Sequence, residues 1–208
     1  MKKSLELNKD PSEYLREYSR KYGIEKYQEE MKYISQEKDW CTAMEIRKAR
    51  ETDLDNIAEL YIANWKETYK GLLPDEYLDS LDLPYGKGKW SSFLKEDGNH
   101  ILVAEEDSRF LGFGAFTPDC EIDDCLLVYS LHVCPKARGK GVGSALLAAI
   151  AEYAADSNFE RMSICIVCGN DGAGNLYRKL GAEHYAYFTD DFNGTKSNSE
   201  KLVWNTLT

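Results

Sequence analysis

Gly139, Gly141 and Gly143 stand at every other position, with Arg138 and Lys140 beside them, and these are the residues best placed for chemistry. Glycine lets the backbone bend and leaves its N–H groups uncovered. Immediately afterwards Val142, Ala145, Leu146, Ala149, Ile150 and Tyr153 recur at the spacing of an amphipathic helix, so the glycines sit at a helix N-terminus. Unpaired donors and the positive end of the helix dipole make such a turn a site for an anion, phosphate above all. The apolar run Leu126 to Val133 before it reads as a strand that Pro135 ends. The bland reading of the same residues is a tight turn with two solvated cations.

Two nucleotide motifs compete for these glycines and neither fits. A P-loop needs glycine where Cys134 stands, and Ser or Thr where Gly141 follows Lys140; a dinucleotide fingerprint counted from Gly139 needs glycine at Ser144. The segment resembles instead the acyl-CoA pyrophosphate loop of the GCN5-related N-acetyltransferases (GNAT), Arg/Gln-x-x-Gly-x-Gly/Ala, on Arg138, Gly141 and Gly143. One strand later, Asn170, Ala173, Leu176, Tyr177, Lys179, Leu180 and Gly181 resemble that family's second diagnostic segment. Two motifs in the right order are far more specific than one. The resemblance covers roughly residues 44 to 208.

The chain has 208 residues, 43% of them apolar, enough for one core plus an appendage. No run of eighteen apolar residues spans a membrane and no apolar segment follows the first lysines, so a cytoplasmic protein is expected. The six cysteines read as buried, reduced thiols: Cys165 and Cys168 lie in the apolar run MSICIVC, Cys134 ends the central strand, and no second pair stands at zinc spacing. No metal is expected. The net charge is −10; the first 43 residues balance nine basic against nine acidic side chains, so the excess lies in the body. An acidic body repels nucleic acid and suits a cationic acceptor such as an amine.

Asp10-Pro11-Ser12-Glu13 starts a helix, and the stripe Tyr14, Leu15, Tyr18, Tyr22 belongs to a helical extension over 1–43. Its aromatic stripe is expected to dock on the body, and a homodimer contact or a flap over the acceptor site stay open to it. Met44 to Ala49 is an expected strand, and Thr52 or Asp53 caps a helix carrying Leu54, Ile57, Ala58, Tyr61, Ile62 and Trp65. Trp65 to Leu81 is expected as helix, bend and short helix, followed by a helix over Tyr85 to Lys95. His100 to Glu105 and Arg109 to Phe116 form two strands, with Gly112 and Gly114 on one face as a close approach requires. After the helix of residues 142 to 156, Arg161 to Cys168 completes a parallel crossover with Leu126 to Val133. Asn170 caps the next helix and Gly181 closes it. His184 to Thr189 and Lys201 to Leu207 are expected strands joined by a polar turn, Asp190 to Ser199.

The resemblance implies an α/β acyl-CoA N-acyltransferase fold over 44–208: a mostly antiparallel central sheet with a splayed parallel pair, flanked by helices. It implies acetyl-CoA as acyl donor, its pantetheine beside the backbone of Leu131, His132 and Val133, and its pyrophosphate on Arg138 to Ser144, that is Arg138, Gly139, Lys140, Gly141, Val142, Gly143 and Ser144, with Asn170 and Tyr177 also at the cofactor. The acceptor is a small-molecule or peptide amine, lined by Trp65, Tyr69 and Tyr129, with Tyr77 a further candidate. Tyr177 occupies the family's general-acid position. The glutamate base found in some members is replaced by Leu127, leaving Tyr129 to gate the acceptor or hold a water, with Asp123, Asp124, Glu67 and His184 as weaker candidates. Strand alternation puts His132 on the face opposite Tyr129. Two other classes compete: a catalytically silent CoA-binding module, and a nucleotide enzyme using the glycine loop.

Overall fold

The computed structural model describes residues 44–192 and 194–207, and the expected extension over 1–43 lies outside them. Seven strands, rich in β-branched and aromatic residues, form one mixed sheet. In chain order the elements are β1 (Glu45–Lys48), α1 (Leu54–Thr68), α2 (Asp75–Ser80), α3 (Leu83–Lys95), β2 (His100–Glu106), β3 (Arg109–Pro118), β4 (Cys125–Val133), α4 (Val142–Asp156), β5 (Arg161–Val167), α5 (Asp171–Lys179), β6 (Glu183–Phe192) and β7 (Thr195–Trp204). The sheet runs β1-β2-β3-β4-β5-β7-β6, and β4 against β5 is its parallel pair.

One face of the sheet carries α4 and α5 over Leu126, Val128, Ile164, Ile166, Leu202 and Trp204. The other carries α1 and α3, whose Ile57, Tyr61, Trp90 and Phe93 close over Val103, Phe113 and Ala115. Gly86 lets α3 approach α1: a Cβ there would stand 3.0 Å from Ile62 Cδ1 and 3.1 Å from Ala58 Cβ. Among the described residues no helix is long and apolar enough to cross a membrane.

Three expectations are corrected. Asp190 to Ser199 is not a polar turn: β6 runs on to Phe192 and β7 starts at Thr195, and the two pair from Glu183↔Val203 to Phe192↔Thr195. The polar residues there belong to a two-stranded arm with little core to face, so polarity misidentified its strands as loop. β7 also ends at Trp204 rather than Leu207, and it lies between β5 and β6. Cys165 and Cys168 are exposed, since Cys165 alternates out of the face occupied by Ile164 and Ile166; of the described cysteines Cys125 is the buried one.

Candidate functional site

Pairing between β4 and β5 stops at Val128↔Ile164, although both strands continue. Beyond that point β3 is the strand that pairs with β4, through Val133↔Gly112, His132↔Phe113 and Leu131↔Gly114. A gap therefore opens along Tyr129 to Val133, and the backbone edge of β4 that faces it has no strand partner, as an extended ligand requires. Gly112 sets the tight approach of β3: a Cβ there would lie 2.5 Å from the His132 carbonyl oxygen.

At the apex of the gap β4 carries a bulge. Ala115 pairs with Ser130 and Phe116 with Val128, which leaves Tyr129 without a register partner. The extra residue resets alternation. Tyr129 stacks on Phe93 of α3 at 5.0 Å, and His132 meets Tyr61 of α1 edge-on at 5.6 Å, so both occupy the α1/α3 face. The expectation of opposite faces, drawn from an unbroken strand, is overturned by this bulge.

His132 is packed and satisfied. Its Nδ1 faces Asn64 Nδ2 at 3.4 Å and its Nε2 faces Ser130 Oγ at 2.9 Å. Arg138 donates to Asn64 Oδ1 at 2.8 Å, so the amide must present its NH₂ to His132 and to the Val133 carbonyl, 3.2 Å away. Nδ1 is thereby the acceptor and Nε2–H the donor to Ser130. Burial lowers the imidazole pKa to about 3, with the Arg138 and Lys89 cations adding to the effect. His132 is thus a neutral core histidine with both nitrogens engaged.

At the open end of the gap, Gly141 caps α4 in the left-handed region, φ 83°. The first α-helical bond runs from Ala145 N to Gly141 O, so the N–H groups of Val142, Gly143 and Ser144 precede the ladder. Gly139 shares positive φ at 74°. Lys140 is exposed beside the turn, and its N–H already points to the Ala137 carbonyl at 3.4 Å. The Arg138 guanidinium turns back to α1, onto Asn64 and onto Glu67 at 2.7 Å, and so braces the loop. On the third side Asn170 caps α5 by accepting from Ala173 N, and Leu176 of α5 and Val133 of β4 both flank Gly143.

Tyr177, on the inner face of α5, is 6% exposed and lies 6.0 Å from the Trp204 ring. Burial raises its pKa, so it stays a neutral phenol. Tyr69 at the end of α1 crosses to hydrogen-bond the Asn170 side chain, and Leu72 packs on Gly169. Trp65 sits among Tyr61, Tyr69, Tyr77 and Phe192, with centroids 4.8 to 6.2 Å apart. The α1–α2 segment and the β6–β7 arm thereby meet as a wall beside the gap, and the wall contains Trp65, Tyr69 and Tyr77.

The weaker base candidates fall elsewhere. Glu67 is paired with Arg138, which lowers its pKa. His184 bonds Glu200 at 2.9 Å, and Glu200 holds Arg178 of α5, on the face opposite Tyr129. The carbonyls of Asp123 and Asp124 are tied to the start of β5, at the closed end of the pair. Sequence reasoning missed three residues: Asn64, Ser130 and Lys89. Asn64 does fall in the buried phase of α1, seven residues after Ile57, and a polar residue there was a legible signal.

A splayed parallel pair with a glycine-lined helix start at its mouth defines a class of proteins that bind a long, phosphate-bearing acyl carrier in extended form. The description that matches the sequence is "Acetyltransferase (GNAT) family", over residues 54–182. The chain belongs to this family, and it is an acyltransferase with acetyl-CoA as donor. Among its relatives, the uncharacterized N-acetyltransferase YuaI of Bacillus subtilis is 26% identical over 76% of this chain and 91% of its own. The L-amino acid N-acyltransferase MnaT of Escherichia coli is 28% identical over 66% of this chain and 78% of its own. In fold, the chain is similar to a PaiA N-acetyltransferase from Thermoplasma acidophilum crystallised with coenzyme A, at TM-score 0.61 and 23% identity over 76% of this chain and 98% of that one.

Proposed function

We propose that the protein moves the acetyl group of acetyl-CoA to a primary amine of a small molecule or peptide by direct attack in the β4–β5 gap, in the cytoplasm. The observation that carries this reading is the end of β4–β5 pairing at Val128↔Ile164 with Tyr129 bulged at the apex. A pantetheine arm would pair with the backbone of Leu131, His132 and Val133, while the pyrophosphate rests on the N–H groups from Gly141 to Ser144 beside Lys140. From Val133 to Tyr129 the strand covers on the order of 13 Å, a span that takes the thioester toward the apex.

An attacking amine must be neutral, and its attack places charge on the thioester oxygen, to which a free β4 N–H would donate a hydrogen bond. The leaving thiolate needs a proton, for which Tyr177 is the donor. Burial makes that phenol a weaker acid, and a thiolate desolvated beside it would be raised in the same direction. Acceptors are supported in outline by MnaT, a relative whose name assigns it L-amino acids.

The test is thiol release from acetyl-CoA against a panel of amines and peptides, with the Tyr177→Phe variant in parallel. The expected result is turnover with some acceptor, and a loss of about 10²-fold or more in kcat for the variant with acetyl-CoA affinity kept. Acetyl-CoA binding without turnover for any amine would overturn transfer in favour of a silent CoA-binding module.

A further inference from the structure

Lys89 of α3 reaches into the acceptor side of the gap. Its Nζ donates to the Tyr129 hydroxyl at 2.7 Å and lies 4.8 Å from the Tyr129 ring centroid and 5.6 Å from those of Tyr61 and Trp90. Three aromatic faces and one phenol oxygen hold this ammonium at the β4 bulge, where the strand pair has just parted. Among the described residues no carboxylate lies within 4.0 Å of it. Two positions earlier on the same helix, Lys87 points outward and is paired with Asp55 at 2.7 Å. In a chain with 36 acidic residues against 26 basic ones, a cation inside the cleft without a carboxylate is the exception that calls for a partner from outside.

We infer that Lys89 is the anchor for a carboxylate on the acceptor, so that the amine acetylated belongs to an amino acid or a similar small zwitterion with the two groups a few bonds apart. This deepens the transferase reading and rests on it. The ammonium is fixed before the acceptor arrives, so little ordering cost falls on the pairing. A polyamine or a lysine-rich peptide meets a like charge at the same place. Pairing with Lys89 also withdraws the negative charge that would otherwise keep the acceptor's own ammonium protonated, and this favours the neutral amine that attacks. Tyr129 is a positioning residue in this scheme: its ring and hydroxyl hold the lysine.

The experiment measures acetyl transfer to each of the twenty common amino acids, to their matched amides, to spermidine and to a lysine-containing peptide. Wild type, Lys89→Gln and Lys89→Arg are compared, with thermal midpoints to show that each is folded and calorimetry to follow acetyl-CoA binding. The expected result is at least one free amino acid preferred over its amide by about 10-fold to 100-fold in kcat/KM, the size of a charge-assisted hydrogen bond. Lys89→Gln should close that gap to about twofold through KM, and Lys89→Arg should keep it. Amides used as well as acids, a preference for spermidine or the peptide, or a preference unchanged in Lys89→Gln would each overturn the carboxylate anchor and leave the transferase standing. Binding of acetyl-CoA with no turnover in any arm would overturn the transferase reading itself, and the anchor with it.

Discussion

Arg138 Nη2 donates to Asn64 Oδ1 at 2.8 Å, and this bond determines which end of the Asn64 amide faces His132. Through one buried side chain, the loop that opens α4 is coupled to the edge of β4 that lines the gap. Asn64→Leu keeps the volume and leaves the Val133 carbonyl, His132 Nδ1 and Arg138 each short of a partner. A loss of about 1–3 kcal/mol in urea denaturation is expected, together with weaker acetyl-CoA binding. A variant as stable as wild type would show that the amide is not a tie between loop and strand.

Acid should destabilise the fold through His132. The imidazole is neutral in the native state down to about 3 because it is buried, whereas in the unfolded chain it titrates near 6.5. Above that value it contributes nothing to pH dependence. As pH falls from about 6.5 toward 3, the unfolded state takes up a proton that the native state refuses, so stability drops by up to about 1.4 kcal/mol per pH unit. His100, also lowered by burial, acts in the same direction. Thermal midpoints between pH 7 and 4.5 should fall less steeply in His132→Gln than in wild type, and parallel slopes would contradict the assignment.

The two β3 glycines should differ in what they tolerate. At Gly114 an added Cβ stands 2.8 Å from Ile150 Cδ1, the far end of a flexible side chain that can turn aside. At Gly112 it stands 2.5 Å from the backbone oxygen of His132, which can move only if β4 moves. Gly114→Ala should therefore cost about 1–3 kcal/mol and leave acetyl-CoA affinity near wild type. Gly112→Ala should cost more and weaken acetyl-CoA as well, by displacing the strand edge. Equal effects on stability and affinity would refute the distinction.

Gly141 has open space around its Cα, so its requirement is conformational. With φ at 83°, an alanine there is strained without any clash by about 1–2 kcal/mol. The turn relieves this by rotating the very N–H groups proposed to hold the cofactor's pyrophosphate. Gly141→Ala should raise the acetyl-CoA dissociation constant by about tenfold or more while the thermal midpoint moves only a few degrees. An unchanged constant would argue that the pyrophosphate is held elsewhere.

The sequence by itself determined what depends on neighbours along the chain. Alternation, helical phase and turn chemistry are local, so most strands, the amphipathic helix behind the glycines, the Asn170 cap and the parallel crossover were all legible. So was the glycine turn opening α4, because positive-φ glycines and the helix start behind them lie within a few residues of one another. Tertiary structure decided whatever depends on how strands register and on what meets across the sheet. The bulge at Tyr129 exists because β4 has one residue more than β3 opposite it, and only the pairing reveals that count; with it the face of Tyr129 relative to His132 was reversed. The length of the β6–β7 arm, the place of β7 beside β5 and the exposure of Cys165 follow from partners far away in sequence. Asn64 and Lys89 became part of the site for the same reason. One is a buried amide needing partners from β4 and the loop, the other a cation needing aromatic faces from α1 and β4, and no local pattern brings those groups together.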